Sequence, residues 1–209
     1  FSQDTRGRWY LNVVVKVQAK ASAGTASVGI DLGLKEAAVT SAGERIEGRF
    51  YRKLECQLGI AQRAHKKNRV KAIHAKIANQ RKDLLHQFST KLVRENAAIF
   101  VGDVASEKLV KTKMAKSTLD AGWASLKTML EYKSHQAGIV FEVVNESYTT
   151  QTCSCCGAIP ASSPKGRAGL RIREWTCSEC GAVHERDVNA ARNILAAGHC
   201  RLAVGISGG

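Results

Sequence analysis

Val28-Gly-Ile-Asp-Leu-Gly33 decides how this chain folds. A short apolar run that ends in a carboxylate and a glycine reads as a buried strand whose tip meets a ligand. Gly33 lets the backbone turn away closely after Asp31. A carboxylate there stands at the carboxyl edge of a sheet, where α/β folds bind ligands and where Mg²⁺ can be held by oxygen donors. The simpler reading is a side chain that caps a turn.

Outward from that strand, Glu36–Thr40 and Arg45–Tyr51 read as two further strands joined by the hairpin turn Ser41-Ala-Gly-Glu44. Residues 52–97 are polar, but Val70, Ile73, Ile77, Leu84, Phe88 and Leu92 recur at three- and four-residue steps, which predicts helix. Ala98–Val101 is a buried strand. Ser117-x-x-Asp120 resembles a capping box opening a helix with Leu119, Trp123, Leu126 and Leu130 on one face, closed by Gly138. Ile139–Val144 is another strand, and a last helix is expected from about Val188 to Ala197, with Gly198 as its stop. Upstream, Trp9–Val17 is β-branched enough for a strand, and Ala19–Ser27 reads as a linker. The order describes a mixed α/β sheet of the ribonuclease-H type, with the first strand central, a long helical insertion and an inserted cysteine module. Residues 1–20 are expected to be the tail of a preceding β domain.

A formal net charge of +14 over 209 residues points to a polyanionic partner, nucleic acid above all. There is no long apolar span and no basic amphipathic helix with bulky anchors, so a membrane partner is not expected. The basic residues gather in the helical insertion: Arg63, Lys66, Lys67, Arg69, Lys71, Lys76, Arg81 and Lys82. Charge runs are usually solvated faces. Here they far outnumber the acids, and phosphate contact is the expected role. Trp175 is the aromatic singled out for base contact.

Four of the seven cysteines form two pairs, Cys153-x-x-Cys156 and Cys177-x-x-Cys180. Four thiolates at that spacing close a tetrahedron around structural zinc and leave no open position. That usage fits a reducing, cytoplasmic compartment better than a disulfide scaffold, and no signal peptide is visible. Cys56, Cys155 and Cys200 are read as bystanders, and His184 as a polar neighbour. Glu185-Arg-Asp-Val-Asn-Ala-Ala-Arg-Asn-Ile194 follows. Asp187 there is either the cap of the last helix or a second metal-binding carboxylate, with Asn189 placed to orient it.

Gly29-Ile-Asp-Leu-Gly-Leu-Lys35, Thr150-Gln-Thr-Cys153 with the cysteine quartet, and Arg186-Asp-Val-Asn-Ala-Ala-Arg-Asn-Ile194 together resemble the RuvC-type nuclease domain of the TnpB (OrfB) family, transposon-encoded RNA-guided DNA endonucleases related to type V CRISPR effectors. Arg81-Lys-Asp-Leu-Leu-His86 and Met114-Ala-Lys-Ser117 resemble the same family. The resemblance divides the chain into a wedge-domain tail (1–20), a first RuvC part (21–149), a zinc-ribbon insert binding target nucleic acid (150–182) and a closing RuvC helix and tail (183–209). It implies Mg²⁺-dependent phosphodiester hydrolysis, a guide RNA and target DNA as partners, a prokaryotic cytoplasm with nucleoid association, and an N-terminal portion before Phe1.

By the same resemblance Asp31 is the first RuvC carboxylate and Asp187 the third. The second departs from the pattern: where the family ends the Ala98–Val101 strand with glutamate, this chain has Gly102-Asp103. Glu146, at the end of the neighbouring parallel strand, is expected to reach into the space that Gly102 leaves. Asp103 faces the wrong way, and Glu142 sits too deep. The rival is a guided DNA-binding protein that has lost cleavage. A phosphate-handling ATPase of the actin-like type leaves the quartet without a purpose, and a strand-joining transposase is a further alternative.

Overall fold

The computed structural model describes residues 1–16, 18, 21–104, 117, 119, 121–169 and 171–206. Its centre is a five-stranded mixed sheet built from β3 (Ala26–Asp31), β4 (Glu36–Thr40), β5 (Arg45–Glu47), β6 (Asn96–Gly102) and β7 (Val140–Val144), in the order β5-β4-β3-β6-β7. β3 is central, antiparallel to β4 and parallel to β6, and β6 is parallel to β7. The hairpin turn forms where expected: the Gly43 N–H donates to the Thr40 carbonyl at 2.9 Å, and Gly43 has φ 89°. Upstream, β1 (Ser2–Gln3) and β2 (Trp9–Tyr10) form a separate two-stranded ribbon.

Both faces of the sheet are covered, which is why its middle strands read as apolar runs rather than alternating ones. On one face, Val28, Ile30, Ile99 and Val101 pack with Leu85, Phe88 and Leu92 of α2 (Lys67–Glu95) and with Leu126 and Leu130 of α3 (Trp123–Ala137). The opposite face places Ala98, Phe100 and Val144 against Ile194, Leu195 and Leu202 of the last helix, α5 (Arg186–Ile206). α1 (Phe50–Arg63) folds back on α2 through a satellite core of Phe50, Leu54, Leu58, Ala61, Ile73 and Ile77. The Cys module carries the one-turn α4 (Gly166–Gly169) and the antiparallel pair β8 (Glu174–Thr176) and β9 (Val183–Glu185).

The structure corrects several expectations. The run Arg45–Tyr51 is strand only to Glu47; Phe50 and Leu54 are one helical turn apart and bury together in the satellite core, so tertiary packing overrides the strand pattern. The insertion is a helical hairpin broken at Ala64-His65-Lys66, where His65 takes φ 52°. Only Trp9 and Tyr10 of the predicted Trp9–Val17 strand are paired, and Leu11, Val13, Val14 and Val15 stay exposed. β-branched residues need a partner strand, and among the described residues none is offered beyond Ser2–Gln3. Val17, Asp120 of the capping box, and Met114-Ala-Lys of the family motif lie outside the described residues.

Gly198 does not stop the last helix, which continues to Ile206. A β-carbon on Gly198 would run into the Phe100 ring, so the glycine admits a buried aromatic beneath the helix. Gly29 plays the same part on β3: its β-carbon would collide with the Ala191 carbonyl and the Leu195 backbone nitrogen of α5. Because those neighbours are backbone, Gly29→Ala must push the helix off the sheet. We expect a loss of about 1–3 kcal/mol or more, measured as a lower denaturation midpoint at unchanged slope; an unaltered midpoint would mean α5 is not seated as described.

Candidate active site and metal centre

The register fixes which residues meet at the sheet's carboxyl edge. Ile30 pairs with Val101, and Gly102 with Val144, so Asp31 and Gly102 end neighbouring parallel strands and Glu146 lies two residues past the third. A β-carbon on Gly102 would sit 2.9 Å from Glu146 Oε2 and 3.4 Å from Glu146 Cβ. The Glu146 side chain therefore lies over the glycine. Asp187, on the first turn of α5, is near enough to this edge for its charge to act on Asp31.

The electrostatics follow from that convergence. Burial pushes the Asp31 carboxyl well above its usual range, and the charges of Asp187 and then Glu146 push it further, with Arg186 opposing. Burial also raises Glu146, against the pull of Lys127. Asp31 and Glu146 are half-buried and Asp187 is buried, so mutual repulsion between acids adds to the cost of charging this edge. The three do not close to the spacing of a single tight cluster, since the Cys quartet is the group found with all ligand atoms within 4.8 Å among the described residues.

The alternative acids point elsewhere. Asp103 is exposed and pairs with Lys127 at 3.1 Å. Glu142 faces Arg201 of α5 at 4.0 Å. Asp187 is not the helix cap, because Glu185 takes that role by accepting from the Val188 N–H at 3.1 Å. Glu185 also holds Arg45, whose guanidinium bridges it at 2.9 Å to Glu36, also at 2.9 Å. Asp187 instead accepts from Arg173 at 2.6 Å and from Arg186 at 2.8 Å. Sequence reasoning missed both arginines; the signal available was a guanidinium next to the acid in Glu185-Arg186-Asp187.

In the Cys module, the two knuckles repeat one another. The Gly157 N–H donates to Cys153 O at 2.8 Å and the Gly181 N–H to Cys177 O at 2.9 Å, with φ of 78° and 73° at the two glycines. Sulfur separations are 3.7 Å for Cys153–Cys180 and 3.8 Å for Cys156–Cys177. Four thiolates about 2.3 Å from one tetrahedral ion stand about 3.8 Å apart. The quartet has the shape of a closed metal site. Burial works to raise the Cys153 thiol, but the Cys156 and Cys155 N–H groups and His184 bring it down to about 6. The Ala182 backbone bond lowers Cys180, yet burial and the other three sulfurs drive it up to about 12. Four such thiols ionise together only around a cation.

His184 lies 3.0 Å from the Cys153 sulfur through Nε2, and its ring tilts against Trp175 with centroids 4.7 Å apart. Trp175 is only 5% exposed. It is part of the module's core, so the expected base contact by Trp175 is corrected: the ring has no free face. The exposed aromatic near the acids is Tyr148, in the left-handed region at φ 66°. Asn189 is corrected as well. Its amide donates to Thr149 O and Thr152 O at 3.2 and 2.8 Å and its oxygen accepts from Ser154 N at 2.9 Å. Asn193 repeats the donation at 2.8 and 2.7 Å. The pair bolts α5 to the start of the module rather than orienting Asp187.

On the helical hairpin, Arg63, Lys66, Lys67, Arg69, Lys71, Lys76 and Lys82 are exposed, whereas Arg81 is half-buried with its stem near Gly122.

Residues 10–113 match the OrfB_IS605 family model, described as "Probable transposase", and residues 123–194 match the model described as "Cas12f1-like, TNB domain". The chain belongs to the OrfB (TnpB) family. A family member of Streptomyces pristinaespiralis, named as an RNA-guided DNA endonuclease, is 39% identical over 98% of this chain and 53% of its own length. InsQ of Escherichia coli K12, likewise named as an RNA-guided DNA endonuclease, is 28% identical over 95% of this chain and 56% of its own. The chain thus spans about half the length of the curated OrfB relatives it matches. Its fold resembles that of Cas12f1 in a cryo-EM structure of the Cas12f1–sgRNA–target DNA complex, with a TM-score of 0.62 over 88% of this chain and 52% of that one, at 20% identity. Among the described residues, no helix is long and apolar enough to cross a membrane.

Proposed function

We propose that this chain carries the nuclease portion of an RNA-guided DNA endonuclease, acting in the cytoplasm on DNA paired with a guide RNA. The observation that carries this reading is Glu146 lying over Gly102 beside Asp31, on the edge that Asp187 also approaches. The sheet is then of the ribonuclease-H-like RuvC type, and residues 150–182 form the zinc-ribbon insert between its last strand and last helix. The small sheet of that insert runs on to Glu185.

Asp31, Glu146 and Asp187 would hold Mg²⁺, and the acid-rich, partly buried edge fits that demand. When bound, Mg²⁺ supplies a lowered pKa for the attacking water and neutralises charge on the leaving oxygen. The chain's own residues fix the three carboxylates: parallel strand ends set Asp31 and Glu146, and the first turn of α5 sets Asp187. Cys153, Cys156, Cys177 and Cys180 would hold structural zinc. The exposed cations Arg63, Lys66, Lys67, Arg69, Lys71, Lys76 and Lys82 would track phosphates by shape, leaving sequence choice to base pairing; half-buried Arg81 joins them with a smaller share.

The alternative, a guided DNA-binding protein without cleavage, is motivated by Gly102; the Glu146 placement weakens that motive. The test is cleavage of guide-matched DNA by the complete protein with Mg²⁺ and with EDTA. We expect cleavage that requires both guide and Mg²⁺. Tight guided binding with no cut product under any divalent cation would establish the alternative.

A further inference from the structure

Both oxygens of Asp187 are already occupied by arginines. Oδ1 accepts from Arg186 Nε at 2.9 Å and from Arg186 Nη2 at 2.8 Å, and Oδ2 accepts from Arg173 Nη1 at 2.6 Å. Each oxygen keeps further acceptor capacity, but a cation that joins Asp187 must approach two guanidinium charges already seated on it.

The two arginines are not equivalent. The Arg186 side chain is 14% exposed, begins the helix that carries Asp187, and also acts on Asp31. Driving it off would strand a buried charge, which is costly. Arg173 is 43% exposed and belongs to the Cys module, immediately before β8. Its guanidinium can turn into water, where a half-exposed ion pair is worth little. Its backbone need not follow, since the Arg173 carbonyl accepts from the Arg186 N–H at 2.7 Å.

We propose that Arg173 is a latch on the acidic site: it occupies Asp187 Oδ2 in the cation-free protein and yields that oxygen when a divalent cation loads. The cysteine module thereby sets the cation affinity of a carboxylate borne by a different element. Metal and guanidinium are like charges drawn to one carboxylate oxygen, so the coupling between them is negative and reciprocal. This inference rests on the reading of Asp187 as a metal ligand. It makes Arg173 a positioning residue, acting through Asp187.

The experiment titrates Mn²⁺ alone into the zinc-loaded 209-residue chain, with free Mn²⁺ followed by electron paramagnetic resonance. Arg173→Gln should bind Mn²⁺ about 5- to 20-fold more tightly than wild type, within the usual span of coupling between sites. Arg173→Met, which keeps the apolar stem and removes the charge, should tighten binding similarly and stands in if the glutamine variant fails to melt cooperatively. A purely structural arginine predicts the opposite sign, because a loosened site binds cations less well. Unchanged or weaker binding in the folded variants overturns the latch. Asp187→Asn separates the two failures. If it binds Mn²⁺ like wild type, Asp187 is not a ligand and the underlying reading falls. If it loses binding while Arg173→Gln gains none, only the latch falls.

Discussion

Glu146→Ala should abolish cleavage, and adding Gly102→Glu to the same chain should restore a large part of it. The first half follows from charge. Removing one of three carboxylates takes away several kcal/mol of transition-state stabilisation, so cleavage should fall about 10³-fold or more. The second half follows from geometry. A β-carbon on Gly102 has three near neighbours: Glu146 Oε2 at 2.9 Å, Ile194 Cδ1 at 2.9 Å and Glu146 Cβ at 3.4 Å. With Glu146 cut back to alanine, the carboxylate oxygen is gone and only a terminal methyl of Ile194 has to yield. A glutamate at 102 then has the space that Glu146 filled, and its own carboxylate grows from the strand beside Asp31. Gly102→Glu alone should be poor, because two side chains would contend for one volume. The measurement is single-turnover cleavage of guide-matched DNA by the complete protein, with guided binding as the control. Normal cutting by Glu146→Ala would remove Glu146 from the site, and a dead double variant that still binds DNA would show that the position, and not only the charge, is indispensable. Asp31→Ala should be dead in every background.

The parts of this site that were legible in the sequence are those fixed by strand direction and ligand chemistry. Val28–Gly33, Ala98–Val101 and Ile139–Val144 are short apolar runs, and two crossovers of helical length make the strands parallel, so their carboxyl ends share an edge. That alone brings Glu146 near Gly102. The paired Cys-x-x-Cys spacing likewise specifies a closed quartet whatever surrounds it. What stayed illegible depends on which neighbour a residue finds across the fold. Gly198 is followed by polar His199, and it resembles a helix stop until the Phe100 ring is placed beneath it. Trp175 beside the cysteine ribbon is a candidate for base contact until His184 lies on it. Phe50 continues a strand pattern until α1 turns over α2 to bury it. Arg173 and Asp187 are fourteen positions apart in sequence, and only the return of β9 along β8 brings them together.

Removing the metal from the cysteine quartet should unfold the module while leaving the five-stranded sheet standing. The module's own buried cluster amounts to Cys153, Trp175 and Cys177. Apolar burial of that size gives only a few kcal/mol, whereas a structural zinc contributes on the order of 10–16 kcal/mol. The main core, around Ile30, Ile99, Leu126 and Leu130, shares no residue with it. Chelation, or Cys177→Ser, should therefore erase the near-ultraviolet signal of buried Trp175 and open residues 150–182 to protease. The far-ultraviolet signature of the helices and the central sheet should persist. Damage should nonetheless reach the acidic edge, for a mechanical reason. Asn189 and Asn193 hold α5 through the Thr149 and Thr152 carbonyls, and the Thr149 N–H donates back to the Glu146 carbonyl at 3.2 Å. Once the module frays, Glu146 loses that support, and α5 loses its anchor at the Thr149 and Thr152 carbonyls. Cleavage should fall with zinc content even though none of the four sulfurs takes part in the chemistry, since a quartet already four-coordinate has no position for substrate. A chelated protein that kept the Trp175 signal would show the module to be held by packing alone, and one that cut at full rate would show the edge to be independent of it.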